Sequence, residues 1–304
     1  MYFIKRLLAL PPLLLLISLL AFILVRVAPG GPFDRERKPA TPEIERALRA
    51  KYFLDEPIWK QYLRYLGGLA KGDLGPSLKQ RNHTVNDIIA QALPVSAALG
   101  LASFCFAVGV GVPLGFYTAV RRGHWTETIG TFYTLLAVCV PALVVGPLLV
   151  ITFSVKLGWF PVALWTTPWH MVLPIITLGL YFSGKIARLM REGMLNVLPA
   201  EFMVTARAKG LSDFKAWWRH GFRLAILPVV SYAGPLLADL LTGSFVVEAL
   251  FQIPGIGIFI VNSALNRDYP LITGLVLLYA FLLIVLNLIV DAVYAWLDPR
   301  VRYE

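Results

Sequence analysis

The sequence predicts an all-α polytopic membrane protein with six transmembrane helices and both termini in the cytoplasm. Three observations carry that reading. First, 58% of the 304 residues are hydrophobic and 15% are charged, with a mean hydropathy of +0.69; a soluble domain has roughly 45–50% apolar and 25% charged residues. Second, the apolar excess is gathered in runs long enough to cross a bilayer. Third, the net charge of +10 is shared unequally among the loops between those runs. In a soluble chain this charge would suggest nucleic acid. In loops flanking membrane helices it sets topology and meets lipid head groups, so no nucleic-acid partner is expected.

Residues 1–27 form a basic tail and helix 1. Leu7–Val25 is 19 residues of nearly unbroken apolar character, about 28 Å at 1.5 Å per residue. Lys5 and Arg6 precede it in the manner of a signal peptide. The run is longer than a signal peptide's apolar region, and no small-x-small cleavage site follows. Arg26, at the outer end, reads as a snorkelling anchor.

Residues 28–94 form an extracytoplasmic helical segment. A turn cluster, APGGPF, opens it. Thr41–Leu54 reads as a helix, with Thr41 as cap, Pro42 at the first position and Glu43 in the first turn. A second helix starts in Leu54–Leu66, with Ile58, Tyr62, Leu63 and Leu66 on one face. Gly72–Ser77 breaks the chain, and Val85–Leu93 leads amphipathically into helix 2.

Residues 95–304 hold helices 2 to 6, read from the runs Val95–Val120, Thr128–Val155, Met171–Gly184 with its flanks, Leu224–Val247 and Leu271–Leu297. Trp159, Trp165 and Trp169 bracket the loop between helices 3 and 4, as interfacial aromatics do. Orientation follows from the basic residues. With the N-terminus inside, the cytoplasmic segments hold fourteen, against Lys156 and Arg267 in the two short outer loops. The segment 28–93 carries eleven basic and eight acidic residues, but long loops translocate largely regardless of charge.

The chemistry-bearing patterns are few. GLYFSGKI (Gly179–Ile186) comes within one residue of a P-loop. Ile186 stands where Ser or Thr would hold magnesium, and the stretch ends a membrane helix rather than joining strand to helix. The four histidines have no ligand spacing, and no nucleophile motif or carboxylate pair stands out, so no catalytic and no metal residue is assigned. Cys105 and Cys139 lie in apolar runs and read as packing residues. Asp239 inside helix 5 and Asp291 inside helix 6 each need a cavity or a partner, because a mid-membrane charge costs about 2.5–3.5 kcal/mol on insertion scales. Asp239 either lines a pathway or bonds structurally; Asp291 reads as structural. Glu248 sits at the outer end of helix 5. The apolar stretch Val247–Pro270 is broken by Pro254, Gly255 and Gly257, and Ile258–Leu265 fits a short re-entrant or interfacial helix. It is either a gate or docking element, or a simple interfacial loop.

Leu198–Pro228 is the longest polar interruption after residue 95 and is rich in basic residues. Pro199–Lys209 suits a helix, with proline at its start, Glu201 in its first turn, and Arg207 and Lys209 in its last. Gly210 supplies a left-handed cap, and Ser212 can cap the next helix. There Phe214, Trp217, Trp218, Gly221 and Phe222 form an apolar stripe suited to a membrane surface. In the first helix Ala206 and Ala208 are small enough to admit another protein closely.

TARAKGL (Thr205–Leu211) and RHGFRLAILPV (Arg219–Val229) resemble the cytoplasmic coupling loop of permease subunits of binding-protein-dependent ABC importers, in particular the B-type permease of oligopeptide/dipeptide importers. RVAPGGPF (Arg26–Phe33), LDEPIWKQYLRYLGGLAKGDLGPS (Leu54–Ser77), GSFVVEALFQIPGIG (Gly243–Gly257), NRDYP (Asn266–Pro270) and DAVYAWLDPRVRY (Asp291–Tyr303) match in order along nearly the whole chain. The general loop carries Glu-Ala-Ala before x-x-x-Gly. Here Val204, Thr205 and Ala206 occupy those positions, so Ala206 and Gly210 are kept and the glutamate is not, as is common in the peptide/nickel branch.

The resemblance implies a type I importer permease fold with a cytoplasmic coupling helix, in the coupling loop at about residues 189–223. It implies a non-catalytic subunit in the inner membrane of a bacterium. That subunit would pair with a C-type permease, two ATPase subunits that hold ATP and Mg, and an extracytoplasmic peptide-binding protein. Glu201, Thr205, Ala206, Arg207, Ala208, Lys209, Gly210 and Leu211 would then meet the ATPase. Asp239, Glu248, Pro254, Gly255 and Gly257 are the candidates for the translocation path or gate. The same architecture also serves nickel, glutathione or peptide antibiotics. A stand-alone secondary transporter would show inverted repeats, and none is visible.

Overall fold

The computed structural model describes residues 2–27, 46, 50–80 and 82–297. The helix expected over Thr41–Leu54 lies mostly outside these residues; Tyr52–Asp55 form a turn. Among the described residues the structure is helical, with one isolated antiparallel bridge between Pro76 and Thr84.

Helix α1 (Tyr2–Val27) exposes leucines on its outer side and buries Ser18 and Phe22. Against that buried side lies α2 (Ile58–Leu69). Its inward face is Gln61, Tyr62, Tyr65 and Leu66, while Ile58 and Leu63 are exposed, so the expected apolar face is rotated. Tyr62 packs edge-on to Phe22 at 5.1 Å, and its hydroxyl lies 2.9 Å from Ser18 Oγ. Burial raises the Tyr65 pKa, with the neighbouring Tyr62 adding to the shift. Arg26 is not a free snorkel. Its guanidinium stacks 3.4 Å from the Phe22 ring centroid and donates to Gln61 Oε1 at 3.1 Å.

The next helix, α3 (Val85–Val120), runs unbroken through Pro94, so the polar segment and the core share it. Thr84 and Asp87 close its first turn as a reciprocal capping box. It packs closely along α6 (Pro168–Val197). Glycine makes that approach feasible: a Cβ on Gly115 would lie 2.2 Å from Ala187 O, and one on Gly111 2.6 Å from Ser183 O. Gly111 and Gly115 form a G-x-x-x-G face of the kind that lets membrane helices meet backbone to backbone. Around this seam lies the core of Leu99, Leu173, Ile186, Met190, Met194, Leu236 and Phe251.

The run Thr128–Val155 is not one straight span. Helix α4 (Trp125–Cys139) and α5 (Ala142–Leu149), which continues as a π-helical stretch Val150–Lys156, meet at 106°. The cause is local: Val140 precedes Pro141, and the proline ring forces its neighbour out of helical conformation (φ −87°, ψ 117°).

The fifth run also departs from expectation. After α7 (Glu201–Ala208) come α8 (Asp213–Ala216), a π-helical turn Trp217–Gly221 and α9 (Phe222–Ala225). Helix α10 (Leu227–Leu241) follows, set off from Asp213–Ala225 by a 46° bend at Ile226, with Pro228 in its first turn. It ends at Leu241, not Val247, because Gly243 takes a left-handed φ of 89°. Helices α11 (Phe245–Phe251) and α12 (Ile256–Asn266) then form a second 106° elbow. The last helix, α13 (Tyr269–Leu297), packs on α1 and α10.

Among the described residues, four helices are long and apolar enough to cross a membrane, namely Leu8–Val27, Val85–Val120, Pro168–Val197 and Tyr269–Val293. Counting each bent pair as one span gives up to seven.

Candidate functional site

The basic loop folds as a helical hairpin with its own small core. Helix α7 begins at Glu201, with Ala200 rather than Pro199 at its cap, and ends before Lys209. Gly210 turns the chain at φ 84°, which a side chain would adopt only with strain. Ser212 stands at the cap of α8 but makes no side-chain cap bond. Met203, Ala206 and Ala216 pack together between the arms. Leu211 N donates to Ala206 O at 3.3 Å, and Arg207 Nε lies 3.0 Å from Asp213 Oδ1.

This packing corrects one expectation. Ala206, 7% exposed, faces its own hairpin and is not a free docking residue. The outward face of α7 carries Glu201, Phe202, Val204, Thr205 and Ala208, with Lys209 and Gly210 at the tip. Phe202 (40% exposed) and Val204 (58%) are apolar side chains left open on the first arm of a strongly basic loop. Sequence reasoning passed over both; their separation from Met203 and Ala206 by helical spacing was the available signal.

The aromatic stripe of the second arm is also divided. The π turn directs Trp217 and Gly221 inward, against the core and Met203. Trp218 and Phe214 remain exposed, and Trp218 stacks on Phe222 at 4.7 Å. Upstream, Arg191 of α6 pairs with Glu127 of α4, which also accepts from Gly123 N at 2.6 Å.

The second group of candidate residues converges on one carboxylate. Glu248, 0% exposed, belongs to α11 rather than to the end of the preceding span. It accepts from Ser96 Oγ of α3 at 2.7 Å and from Ile258 N of α12 at 3.2 Å. Ser96 Oγ in turn accepts from Ile256 N at 2.7 Å. Gly243, Gly255 and Gly257 crowd this knot: a Cβ on Gly255 would lie 2.4 Å from Ser96 Oγ. Glu248, Gly255 and Gly257 are thus brought together, and Pro254 sits exposed at the bend beside them. Ser96 and Gly243 complete the knot and were not foreseen. Asp239 is elsewhere. It projects exposed from α10 and accepts from Tyr279 Oη of α13 at 3.1 Å.

A third junction joins the polar segment to the membrane helices. Asp268, nearly fully buried, accepts from Ser77 Oγ, from Leu78 N at 3.1 Å and from Lys79 N at 3.3 Å.

Long apolar helices and glycine-seamed packing define a polytopic membrane protein, here with a helical hairpin between α6 and α10. The chain belongs to the binding-protein-dependent transport system inner membrane component family, which matches residues 111–303. It is 45% identical over 302 residues to the oligopeptide transport system permease protein OppB of Haemophilus influenzae, covering 98% of each chain. It is 40% identical to the dipeptide transport system permease protein DppB of Bacillus subtilis, covering 99% of this chain and 97% of that one. Its fold is similar to a chain of the MetNI methionine ABC transporter solved in inward-facing conformations, with TM-score 0.57 and 17% identity over 69% of this chain and 96% of that one.

Proposed function

We propose that this chain is the B-type permease subunit of an ATP-driven ABC importer that carries oligopeptides or dipeptides across the bacterial cytoplasmic membrane. The observation that carries the reading is the α7–α8 hairpin, a rigid projection with exposed Phe202 and Val204. Apolar side chains held open on a polar hairpin with its own small core suit contact with a protein partner. Kinship to peptide-transport permeases of Haemophilus influenzae and Bacillus subtilis supports the substrate class. The glutathione transport permease GsiC of Escherichia coli, 36% identical, favours glutathione, itself a peptide, as the second reading.

In this reading the four long helices and the first two bent pairs make six spans, and α11–α12 is a re-entrant hairpin. Both termini face the cytoplasm. A C-type permease completes the pore, two ATPase subunits bind ATP and Mg, and an extracytoplasmic binding protein delivers peptide. Glu201, Phe202, Val204, Thr205, Ala208, Lys209 and Gly210 form the outward surface and tip of α7 that enter the ATPase. Ala206, Arg207 and Leu211 hold the hairpin stiff, so displacement of α7 passes through Met203 to the α8–α10 arm and through Val197 to α6. Glu248, Gly255 and Gly257 pin the re-entrant hairpin to α3, and Asp239 lines the path. This chain transmits force and shapes the path; it catalyses nothing.

The test is reconstitution of the chain with and without its ATPase partners in liposomes. Peptide uptake that requires the ATPases, ATP and the loaded binding protein supports the reading. Uptake by this chain alone, without ATP, overturns it.

A further inference from the structure

Beyond the spans themselves, the structure holds an apolar groove that reaches Tyr181 on α6, with Lys185 at that tyrosine and Asp239 further along on α10. The inside of the α4–α5 elbow faces α6 across an open groove of about 390 Å³, lined by Val138, Pro141, Ala142, Leu178 and Tyr181 among others. That volume falls within the range of small-ligand pockets, about 300–1,000 Å³. Tyr181 also borders a cation: Lys185 Nζ lies 4.6 Å from the centre of its ring and interacts with the Tyr232 phenol across on α10. Seven residues beyond Tyr232, on the same face of α10, is Asp239, with Tyr279 at its carboxylate. Among the described residues neither Lys185 nor Asp239 is in an ion pair. Their partners are tyrosines rather than opposite charges, and ionisable groups on membrane helices mark substrate or ion pathways.

Resting on the peptide reading, we infer that this is a peptide-binding site in the permease itself. The groove takes the C-terminal side chain, Lys185 pairs with the terminal carboxylate, and Asp239 faces the terminal ammonium. The spacing suits this. Two helical turns separate Tyr232 from Asp239 by about 10 Å, and three extended residues span about the same length. An apolar pocket next to a cation selects a large apolar C-terminal residue over glycine. Tyr181, Tyr232 and Tyr279 give the remaining peptide groups aromatic and hydroxyl contacts that do not depend on sequence.

The test uses the complete importer in liposomes and compares uptake of alanyl-alanyl-leucine with that of alanyl-alanyl-glycine within each variant, so that differences in expression cancel. Ala142→Phe fills the groove and should lower the leucine-to-glycine ratio about tenfold, the scale of discrimination in an apolar pocket. Lys185→Glu should lower uptake of both peptides at least tenfold, while Lys185→Arg, which keeps the cation, restores most of it. A leucine-to-glycine ratio unchanged in Ala142→Phe, or wild-type uptake in Lys185→Glu, overturns the site while leaving the importer reading standing. A wild-type complex that imports neither peptide overturns both.

Discussion

Ser96 Oγ lies 2.7 Å from Glu248 Oε1, and through that single hydroxyl α3 is joined to both arms of the α11–α12 elbow. Glu248 is fully buried and holds Ile258 N as well. The elbow survives as non-helical backbone because side chains satisfy its amides. Removing the carboxylate therefore does more than delete one bond. Glu248→Ala leaves Ser96 Oγ and the Ile258 amide without this acceptor, at roughly 1–3 kcal/mol for each buried group. The expected outcome is a lower unfolding temperature of the purified chain in detergent and faster hydrogen exchange at residues 252–258. Glu248→Gln keeps one acceptor oxygen but aims an amide donor at other donors, so it should fall between wild type and Glu248→Ala. An unfolding temperature unchanged in Glu248→Ala would show that the knot does not stabilise the elbow.

The coupling hairpin gives a pair of variants with opposite behaviour. Val204 is exposed on α7, whereas Ala206 two residues on is packed against Met203 and Ala216. Val204→Asp should leave membrane insertion and unfolding temperature within error of wild type, yet abolish ATP-driven uptake by placing a charge on the outward face of α7. Ala206→Arg should separate α7 from α8 and lower stability too, since a long cation cannot fit a site sized for a methyl group. Uptake and thermal unfolding measured on both separate surface from scaffold. Full uptake in Val204→Asp would place the ATPase contact elsewhere.

What could be read from the sequence, and what could not, divides along physical lines. Long apolar runs announce their helices, because a helix satisfies all its backbone groups within one segment in lipid. The bends were not announced: Pro141 marks one, but Pro94, Pro113 and Pro174 lie inside unbroken helices, so a proline alone does not say where a span breaks. Ala206 was placed on the docking surface because small size alone does not say which side of a helix is covered; only the fold brings Ala216 to it. Glu248 shows the same limit. Its residue type marked it as notable, but its partners lie 152 positions before it, at Ser96, and 10 after it, at Ile258. Such pairings come from topology, which no local pattern encodes.

Asp268 offers the last prediction, and it concerns how the polar segment is held. The carboxylate receives the Ser77 hydroxyl and the amides of Leu78 and Lys79, and it also accepts from Leu271 N at 3.4 Å in the first turn of α13. One buried side chain thus ties the loop before α3 to the start of the last helix, across 191 residues of sequence. Hydrogen bonds to a charged acceptor are worth about 1.5–3 kcal/mol each, and the group sits where water does not replace them. Asp268→Asn retains one acceptor oxygen and presents an NH₂ to amides that themselves donate. The expected result is selective loosening. Hydrogen exchange at residues 76–84 should quicken by at least tenfold, and protease should cut there first, while exchange in the α3–α6 seam around Gly115 and Ala187 stays slow. Equal acceleration in both regions would mean that Asp268 supports the whole fold. No change at residues 76–84 would mean that the Pro76–Thr84 bridge and the Thr84 cap hold the loop without it.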